Sequence, residues 1–213
     1  MEEIMNLLVP KKKIFIWIAA IAILLSAPVL CAHLSSTCVR YEHDNVTGLG
    51  PLPYNYRVID GYIHAGGHPL GPVSDLGNSD KQVMVILNYL KSQGVVTVID
   101  LQNDKSVEGR YVRMLDRMGI KWLHVPLNWL KVPTAEQWKK IEEALKKPVY
   151  IHCKWGADRT GLVIAKYLVR NKGYSINDAL DAVSDNGSHA GAIRGMAIEY
   201  RYDPVFLKFL KNK

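Results

Sequence analysis

The spacing of apolar and polar residues predicts an amphipathic helix followed by a strand in the middle of the chain. The helical pattern covers residues 80–90, and Gly94 would stop the helix from continuing further. Four apolar positions define it: Val83, Val85, Ile86 and Leu90. The unbroken, β-branched run at residues 95–99 is typical of a strand that is buried on both faces.

The same alternation of helix and strand continues to residue 151. The predicted elements are a helix over residues 107–118, a strand over 120–125, a helix over 135–146 and a strand over 149–151. Thr134 and Gln137 stand at the capping-box positions of the third helix. Repeated helix-then-strand units predict a single α/β domain with a mostly parallel central sheet flanked by helices.

A short hairpin is predicted before these units. Residues 58–59 and 62–64 favour strands, and Asp60-Gly61 between them supplies the positive φ that a tight turn requires. Residues 66–69 would end the hairpin. The preceding residues 33–53 are rich in Ser, Asn, Gly and Pro, so we interpret them as a tether to a domain that spans residues 54–213.

Residues 1–32 have the order of regions found in an export signal. Lys11, Lys12 and Lys13 precede the apolar run 14–25, and a small residue, Ala32, follows Pro28. Cleavage after Ala32 is our first expectation, and a retained membrane anchor is the alternative. Either way, the domain is expected outside the cytoplasm, as a periplasmic, secreted or anchored protein.

The net charge favours anionic ligands without selecting one. The 213-residue chain carries a formal charge of +7, and residues 33–213 retain +6. A basic surface raises the local concentration of phosphate esters, nucleic acids or acidic lipids. No cluster of Lys and Arg with interleaved aromatic residues follows the first 32 residues, so a nucleic-acid partner is not expected.

The segment from His152 to Gly161 has the strongest chemical signature in the chain. It connects the predicted strand 149–151 to an apolar helix, and a loop there directs backbone N–H groups and the helix dipole at one point. Cys153 begins the loop and Arg159 ends it, with five residues between them. Such a loop can surround a phosphoryl group.

Each residue type suits that chemistry. The loop amides and Arg159 would stabilise the Cys153 thiolate, which is the nucleophilic form. The planar guanidinium can hold two phosphate oxygens at once. Gly156 permits a tight turn, Thr160 can hydrogen-bond the sulfur, and His152 is expected to order the loop.

The pattern His152-Cys153, five residues, Arg159-Thr160-Gly161 resembles the catalytic loop of the protein tyrosine and dual-specificity phosphatase superfamily. Over residues 54–185 the chain is similar to its small atypical bacterial, plant and fungal members. The resemblance implies hydrolysis of phosphotyrosine or other phosphate monoesters through a cysteinyl-phosphate, without metal or cofactor. It implies phosphate binding by seven residues: Lys154, Trp155, Gly156, Ala157, Asp158, Arg159 and Thr160.

The general acid does not follow the family pattern. Many members carry an aspartate on a loop 20 to 40 residues before the nucleophile, but residues 125–130 offer Asn128 and no carboxylate. Asp158 is our first candidate because it adjoins Arg159 and resembles the in-loop acid of some lipid and bacterial phosphatases. Asp104 and Asp100 are the alternatives.

Three other functions stay open at this point. Lys154 would suit a phosphoinositide or inositol phosphate, although Ala157 stands where such enzymes often have a second lysine. A rhodanese-like sulfurtransferase also places a cysteine between a strand and a helix. The absence of an upstream carboxylate leaves a catalytically silent phosphate-binding module as the third alternative.

Overall fold

The computed structural model describes residues 39–41, 52–71, 77–103, 108–128, 130–184 and 199–212. The strands are β1 (Val39–Tyr41), β2 (Arg57–Ile59), β3 (Ile63–Gly66), β4 (Thr97–Asp100), β5 (Lys121–His124) and β6 (Val149–His152). The helices are α1 (Asp80–Ser92), α2 (Glu108–Met118), α3 (Ala135–Ala144), α4 (Asp158–Lys172), α5 (Ile176–Ser184), α6 (Glu199–Tyr202) and α7 (Pro204–Lys211). The predicted export segment, residues 1–32, lies outside these ranges. None of the helices described is long and apolar enough to cross a membrane.

One sheet contains all six strands in the order β1-β2-β3-β6-β4-β5. The strands β3, β6, β4 and β5 run parallel to one another, whereas β2 pairs antiparallel with both β1 and β3. The prediction of an α/β domain with a mostly parallel sheet is therefore confirmed. Strand β6 occupies the middle of the sheet, and all four of its residues are buried.

The hairpin forms as predicted. Ile59 is opposite Ile63, and the two residues between them have positive φ angles of 53° at Asp60 and 80° at Gly61. The tether interpretation differs from the structure at one place, because residues 39–41 form β1 and pair with β2. Such a short edge strand is specified by the unpaired backbone of β2, which local sequence does not reveal.

The first predicted helix is confirmed, with one error in its buried face. Its N-terminus has a capping box between Ser79 and Gln82. Val85, which we expected on the apolar face, is 44% exposed, and Leu87 is buried instead. A helix turns 100° per residue, so the stripe through Val83, Ile86 and Leu87 leaves Val85 on the solvent side.

The strand predicted at residues 95–99 is shifted toward the C-terminus. Strand β4 begins at Thr97, and Val96 is 46% exposed rather than buried. The Val96 side chain lines an open groove against α3, where Ala144 and Lys147 also lie. Burial on both faces therefore begins only after the chain enters the sheet.

Hydrophobic cores cover both faces of the sheet. Ile99 and Ile151 pack with Leu162 of α4 on one face. Val98 and Tyr150 pack with Leu87 of α1 on the other. The capping box of Thr134 and Gln137 begins α3, as predicted. This two-sided burial holds β6 rigidly, so the loop after His152 has a fixed starting point.

Candidate active site

The catalytic loop occupies residues 153–157, between the end of β6 and the start of α4. Ala157 is the N-cap residue of α4, and its side chain makes no capping hydrogen bond. The amide groups of the first helical turn therefore have no side-chain acceptor from the cap. Together with the helix dipole, they form a site for an anion at the end of β6.

Cys153 stands at the base of this loop. Its side chain is 2% exposed and is not in a disulfide. The Thr160 hydroxyl is buried within the first turn of α4 and has no hydrogen-bond partner in the part of the chain that the structure describes. That hydroxyl is thus available to a group bound in the loop.

Within the part of the chain that the structure describes, the hydrogen bonds of Arg159 all come from one end of its guanidinium group. Its Nη1 donates to the backbone carbonyl of Leu101 at 3.2 Å and to that of Leu127 at 3.1 Å. These carbonyls follow β4 and β5, and the Leu127 amide also donates to the Leu101 carbonyl at 3.1 Å. With Nη1 occupied, the Nε and Nη2 donors can hold two oxygens of a phosphoryl group.

A glycine is needed at position 156. Its φ is +73°, and an added Cβ would lie 2.3 Å from the carbonyl carbon of Gly66 and 2.6 Å from the amide nitrogen of Gly67. Both neighbours are backbone atoms, which cannot rotate away as a side chain can. The tight turn expected at Gly156 is confirmed, and its cause includes contact with the end of β3.

Gly156→Ala is expected to lower activity by roughly a hundredfold, because the loop must move by a fraction of an ångström or more. The left-handed backbone alone costs a non-glycine residue about 1 to 2 kcal/mol. Gly173→Ala is the matched control, since Gly173 has a φ of +72° with nothing within 4 Å of the added Cβ. Kinetics and thermal melting of both variants test this. Equal activity in the two would show that the Gly66 contact does not matter.

Backbone contacts brace the loop on the same side. The His68 amide donates to the Lys154 carbonyl at 3.1 Å, and Asn55 Nδ2 donates to the Trp155 carbonyl at 3.1 Å. Tyr54 packs edge-on against the Trp155 ring, with 5.5 Å between centroids. These contacts turn loop carbonyls away from the anion site, so that its amides can face a phosphate.

The seven predicted phosphate-binding residues lie in one continuous turn. Lys154 is exposed, whereas Trp155, Asp158 and Arg159 are partly buried. Gly156, Ala157 and Thr160 are buried. Their contact with phosphate stays a prediction, although their placement around the start of α4 is what that role requires.

The general-acid candidates occupy different environments. Asp158 is the first residue of α4 and is partly buried at the loop. Asp100 is 6% exposed, and its two oxygens accept hydrogen bonds from the Gln102 amide at 2.8 Å and Trp122 Nε1 at 3.3 Å. Asp104 lies outside the described residues. A buried carboxylate that already accepts two hydrogen bonds is poorly placed to reach a leaving group. The geometry therefore favours Asp158 over Asp100 as the general acid.

Asn128 lies in the segment where many members of the resembled superfamily carry the upstream general acid, and its side chain is hydrogen-bonded. Asn128 Oδ1 accepts a hydrogen bond from Asn103 Nδ2 at 2.7 Å, and both side chains are exposed. This pair links the loop after β5 to the loop after β4. An amide cannot donate a proton as a carboxylic acid does, so Asn128 is not a general acid.

His152 lies behind the loop in a buried group of polar side chains. Burial lowers the pKa of His152 to about 3, so its imidazole is neutral at physiological pH. Its Nδ1 is 3.7 Å from Asp100 Oδ1, and His68 is the third member, with one polar atom of each residue within 4.8 Å of the others. Sequence spacing did not reveal this cluster, because Asp100 and His152 end two different strands and His68 follows a third.

Three such ligand atoms suggest a metal site, but the chemistry of His68 disagrees. Its Nδ1 accepts a hydrogen bond from the Leu70 amide at 3.0 Å. A neutral imidazole has one lone pair, so the remaining nitrogen carries a proton and cannot also bind a metal. The cluster is therefore poorly suited to hold an ion, and independence from metals stays a prediction.

The sequence itself matches a phosphatase family. Residues 77–173, which include the whole catalytic loop, match the family described as Tc-R-P, polymorphic toxin system, DSP-PTPase phosphatase. The match covers 97 of the 213 residues and confirms, for this part of the chain, the resemblance noted in the catalytic loop to the cysteine-dependent tyrosine and dual-specificity phosphatases. It supports a hydrolase of this type.

Solved structures share the fold of this phosphatase at low identity. TpbA of P. aeruginosa has a TM-score of 0.52 at 20% identity, covering 74% of this chain and 84% of its own. PTPMT1 has a TM-score of 0.52 at 24% identity, with coverages of 73% and 91%. The catalytic core of the PP-IP phosphatase SIW14 from S. cerevisiae has 0.52 at 16%, with 75% and 85%. No curated protein sequence matches the chain.

Proposed function

We propose that this phosphatase hydrolyses phosphate monoesters, with Cys153 as nucleophile and Arg159 as the phosphate-binding cation. The observation that carries the proposal is the one-sided anchoring of Arg159 by the Leu101 and Leu127 carbonyls. This anchoring leaves the rest of the guanidinium for the phosphoryl oxygens, within a loop that begins at the buried Cys153. This arrangement suits phosphate ester hydrolysis better than it suits a sulfurtransferase or a catalytically silent phosphate-binding module.

The reaction has two steps. The Cys153 thiolate attacks phosphorus, a phosphorus–sulfur bond forms, and the bond from phosphorus to the leaving oxygen breaks while Asp158 gives that oxygen its proton. Water then attacks the cysteinyl-phosphate, giving its proton to the Asp158 carboxylate, and the thiolate leaves. The Thr160 hydroxyl, buried beside the loop, can donate a hydrogen bond to the departing sulfur.

We propose an aryl phosphate such as phosphotyrosine as the preferred substrate. The edge-to-face pair of Tyr54 and Trp155 provides an aromatic surface beside the loop, against which a phenyl ring can pack. Lys154 is exposed on the same loop and would equally suit a more highly charged ester. An inositol phosphate is therefore the second candidate, and the yeast structural neighbour is itself a PP-IP phosphatase.

A substrate panel tests the function and its specificity together. Wild-type protein in EDTA should release phosphate from p-nitrophenyl phosphate and from a phosphotyrosine peptide, and more slowly from a phosphoserine peptide or an inositol phosphate. Faster turnover of the inositol phosphate would favour the second candidate. Activity that EDTA removes and zinc or magnesium restores would contradict the metal-free mechanism.

We also propose that residues 1–32 export the protein. The charged residues 11–13 and the apolar run 14–25 support this proposal. Mass spectrometry of the native protein should find a mature N-terminus near His33 in a fraction outside the cytoplasm. An intact Met1 in a membrane fraction would favour the anchor, and an intact Met1 in the cytosol would contradict both.

A further inference from the structure

Asn55 connects the start of the domain to the catalytic loop, 100 residues further along the chain. Its side-chain Nδ2 donates a hydrogen bond to the backbone carbonyl of Trp155 at 3.1 Å. Its own backbone carbonyl accepts a hydrogen bond from Nη1 of Arg57 at 3.0 Å. Arg57 is the first residue of β2 and is fully buried. The sheet therefore holds the backbone of Asn55 while its side chain reaches the loop.

Two unfavourable conditions accompany Asn55 at this position. Its φ is +57°, in the left-handed region that asparagine tolerates better than most residues other than glycine. The residue is 5% exposed, and its Oδ1 has no hydrogen-bond partner among the residues that the structure describes. A buried polar atom without a partner lowers stability. The bond from Nδ2 to the loop gives a physical reason for an asparagine here.

The same bond sets the direction of one loop amide. A trans peptide is planar, and its C=O and N–H groups point in opposite directions. Because Asn55 holds the Trp155 carbonyl, the Gly156 amide of the same peptide must face away from Asn55. Within the described ranges, no backbone carbonyl accepts a hydrogen bond from this amide. The Gly156 N–H group is thus available to an anion that the loop surrounds.

Gly156 makes this support necessary. An added Cβ at this position would clash with the backbone of Gly66, so the loop requires a glycine. A glycine adopts positive and negative φ about equally well, so it does not restrict rotation of the peptide that precedes it. After such a rotation, the Trp155 carbonyl would face the anion site in place of the Gly156 amide. The bond from Asn55 opposes that rotation.

We propose that Asn55 is a positioning residue that directs the Gly156 amide at the phosphoryl group in the catalytic loop. The inference rests on the proposed function of this loop. A preorganised N–H donor stabilises the charge that develops on a phosphoryl oxygen and need not reorganise during the reaction. A carbonyl in its place would repel that oxygen. Asn55 is therefore expected to support both phosphate binding and turnover.

Two substitutions remove the donor and keep the backbone conformation. Asn55→Gly adopts a φ of +57° freely and has no side chain. Asn55→Asp keeps the side-chain size and the tolerance for positive φ, but its carboxylate has no hydrogen to donate to the Trp155 carbonyl. Asp60→Gly is the matched control. Asp60 also has a positive φ, 53°, and its carboxylate accepts hydrogen bonds from Tyr167 and Lys172 in the half of α4 away from the loop.

The readout is the binding of inorganic phosphate, followed by NMR in the full-length protein through the Gly156 N–H signal. Both Asn55 variants should bind phosphate about tenfold more weakly, and their Gly156 signal should move much less at saturation. Their kcat/KM for p-nitrophenyl phosphate should fall by roughly tenfold to a hundredfold. Asp60→Gly should lower the melting temperature and keep the wild-type phosphate affinity and Gly156 response.

Three results would overturn the proposal. Wild-type phosphate affinity and Gly156 response in both Asn55 variants would show that the bond does not direct the amide. An equal loss of affinity in Asp60→Gly would assign the effect to general destabilisation. Slower hydrolysis with an unchanged Gly156 response would assign Asn55 a different role. If Asn55→Gly does not fold, Asn55→Asp, which keeps the side-chain volume, decides the test.

Phosphate binding needs no turnover, so the proposed function is tested separately. Wild-type protein that binds phosphate at the Gly156 amide, but hydrolyses no ester, would contradict the proposed function and still support the positioning role of Asn55.

Discussion

Cys153→Ser is expected to abolish phosphate release and to leave the fold intact. A serine hydroxyl remains protonated at neutral pH, so the loop has no anion to direct at phosphorus. The side chain is 2% exposed, and oxygen occupies less volume than sulfur, so the surrounding core has little reason to rearrange. Loss of a catalytic nucleophile commonly costs roughly 10⁴-fold or more in kcat. Phosphate release from p-nitrophenyl phosphate measures it, and circular dichroism and thermal melting monitor the fold.

Cys38→Ser is the matched control for this substitution. It makes the same chemical change at the other cysteine of residues 33–213, and we expect no loss of turnover. Turnover retained in Cys153→Ser would disprove nucleophilic catalysis by this residue. An equal loss in the Cys38 variant would show that a thiol outside the catalytic loop is needed.

Asp158→Asn is expected to slow alkyl phosphates far more than aryl phosphates with good leaving groups. An alkoxide is a strong base and must receive a proton as it departs, whereas a p-nitrophenolate can leave without one. General-acid catalysis typically contributes about 10²- to 10⁴-fold, so the alkyl substrate should lose activity in that range. The ratio of kcat/KM for the two ester classes is the decisive measurement.

Asp104→Asn provides the comparison. If Asp158 is the acid, the Asp104 variant should show nearly the wild-type ratio. The reverse pattern would identify Asp104 as the acid and leave Asp158 to order the loop. Equal losses in both variants that do not depend on the leaving group would mean that neither residue donates the proton.

Local signals in the sequence were sufficient for much of the fold and for the core of the site. The Asp60-Gly61 turn and the Thr134 capping box depend on residues within four positions of each other, and both formed as predicted. The catalytic loop is equally local, because Cys153 and Arg159 are joined by one continuous turn. The mostly parallel direction of the strands followed from the alternation of helices and strands.

The exposure of Val85 and Val96 was predicted wrongly, because local sequence does not show which neighbour covers a side chain. Both residues are apolar and stand within apolar runs, so composition placed them inside. Burial also depends on which neighbour covers a given face, and that is a property of packing. The helix rotation in α1 and the open groove beside α3 decided these two positions.

By itself, the sequence determined the strand, loop and helix that present Cys153 and Arg159, since consecutive residues carry their own geometry with them. Only the tertiary structure decided what holds those two residues in place. The carbonyls that anchor Arg159 follow β4 and β5, the contact that requires Gly156 comes from β3, and His68 meets His152 across 84 residues. Such partners come together because the sheet places the ends of its parallel strands side by side, and that proximity has no signature in the linear spacing of the chain.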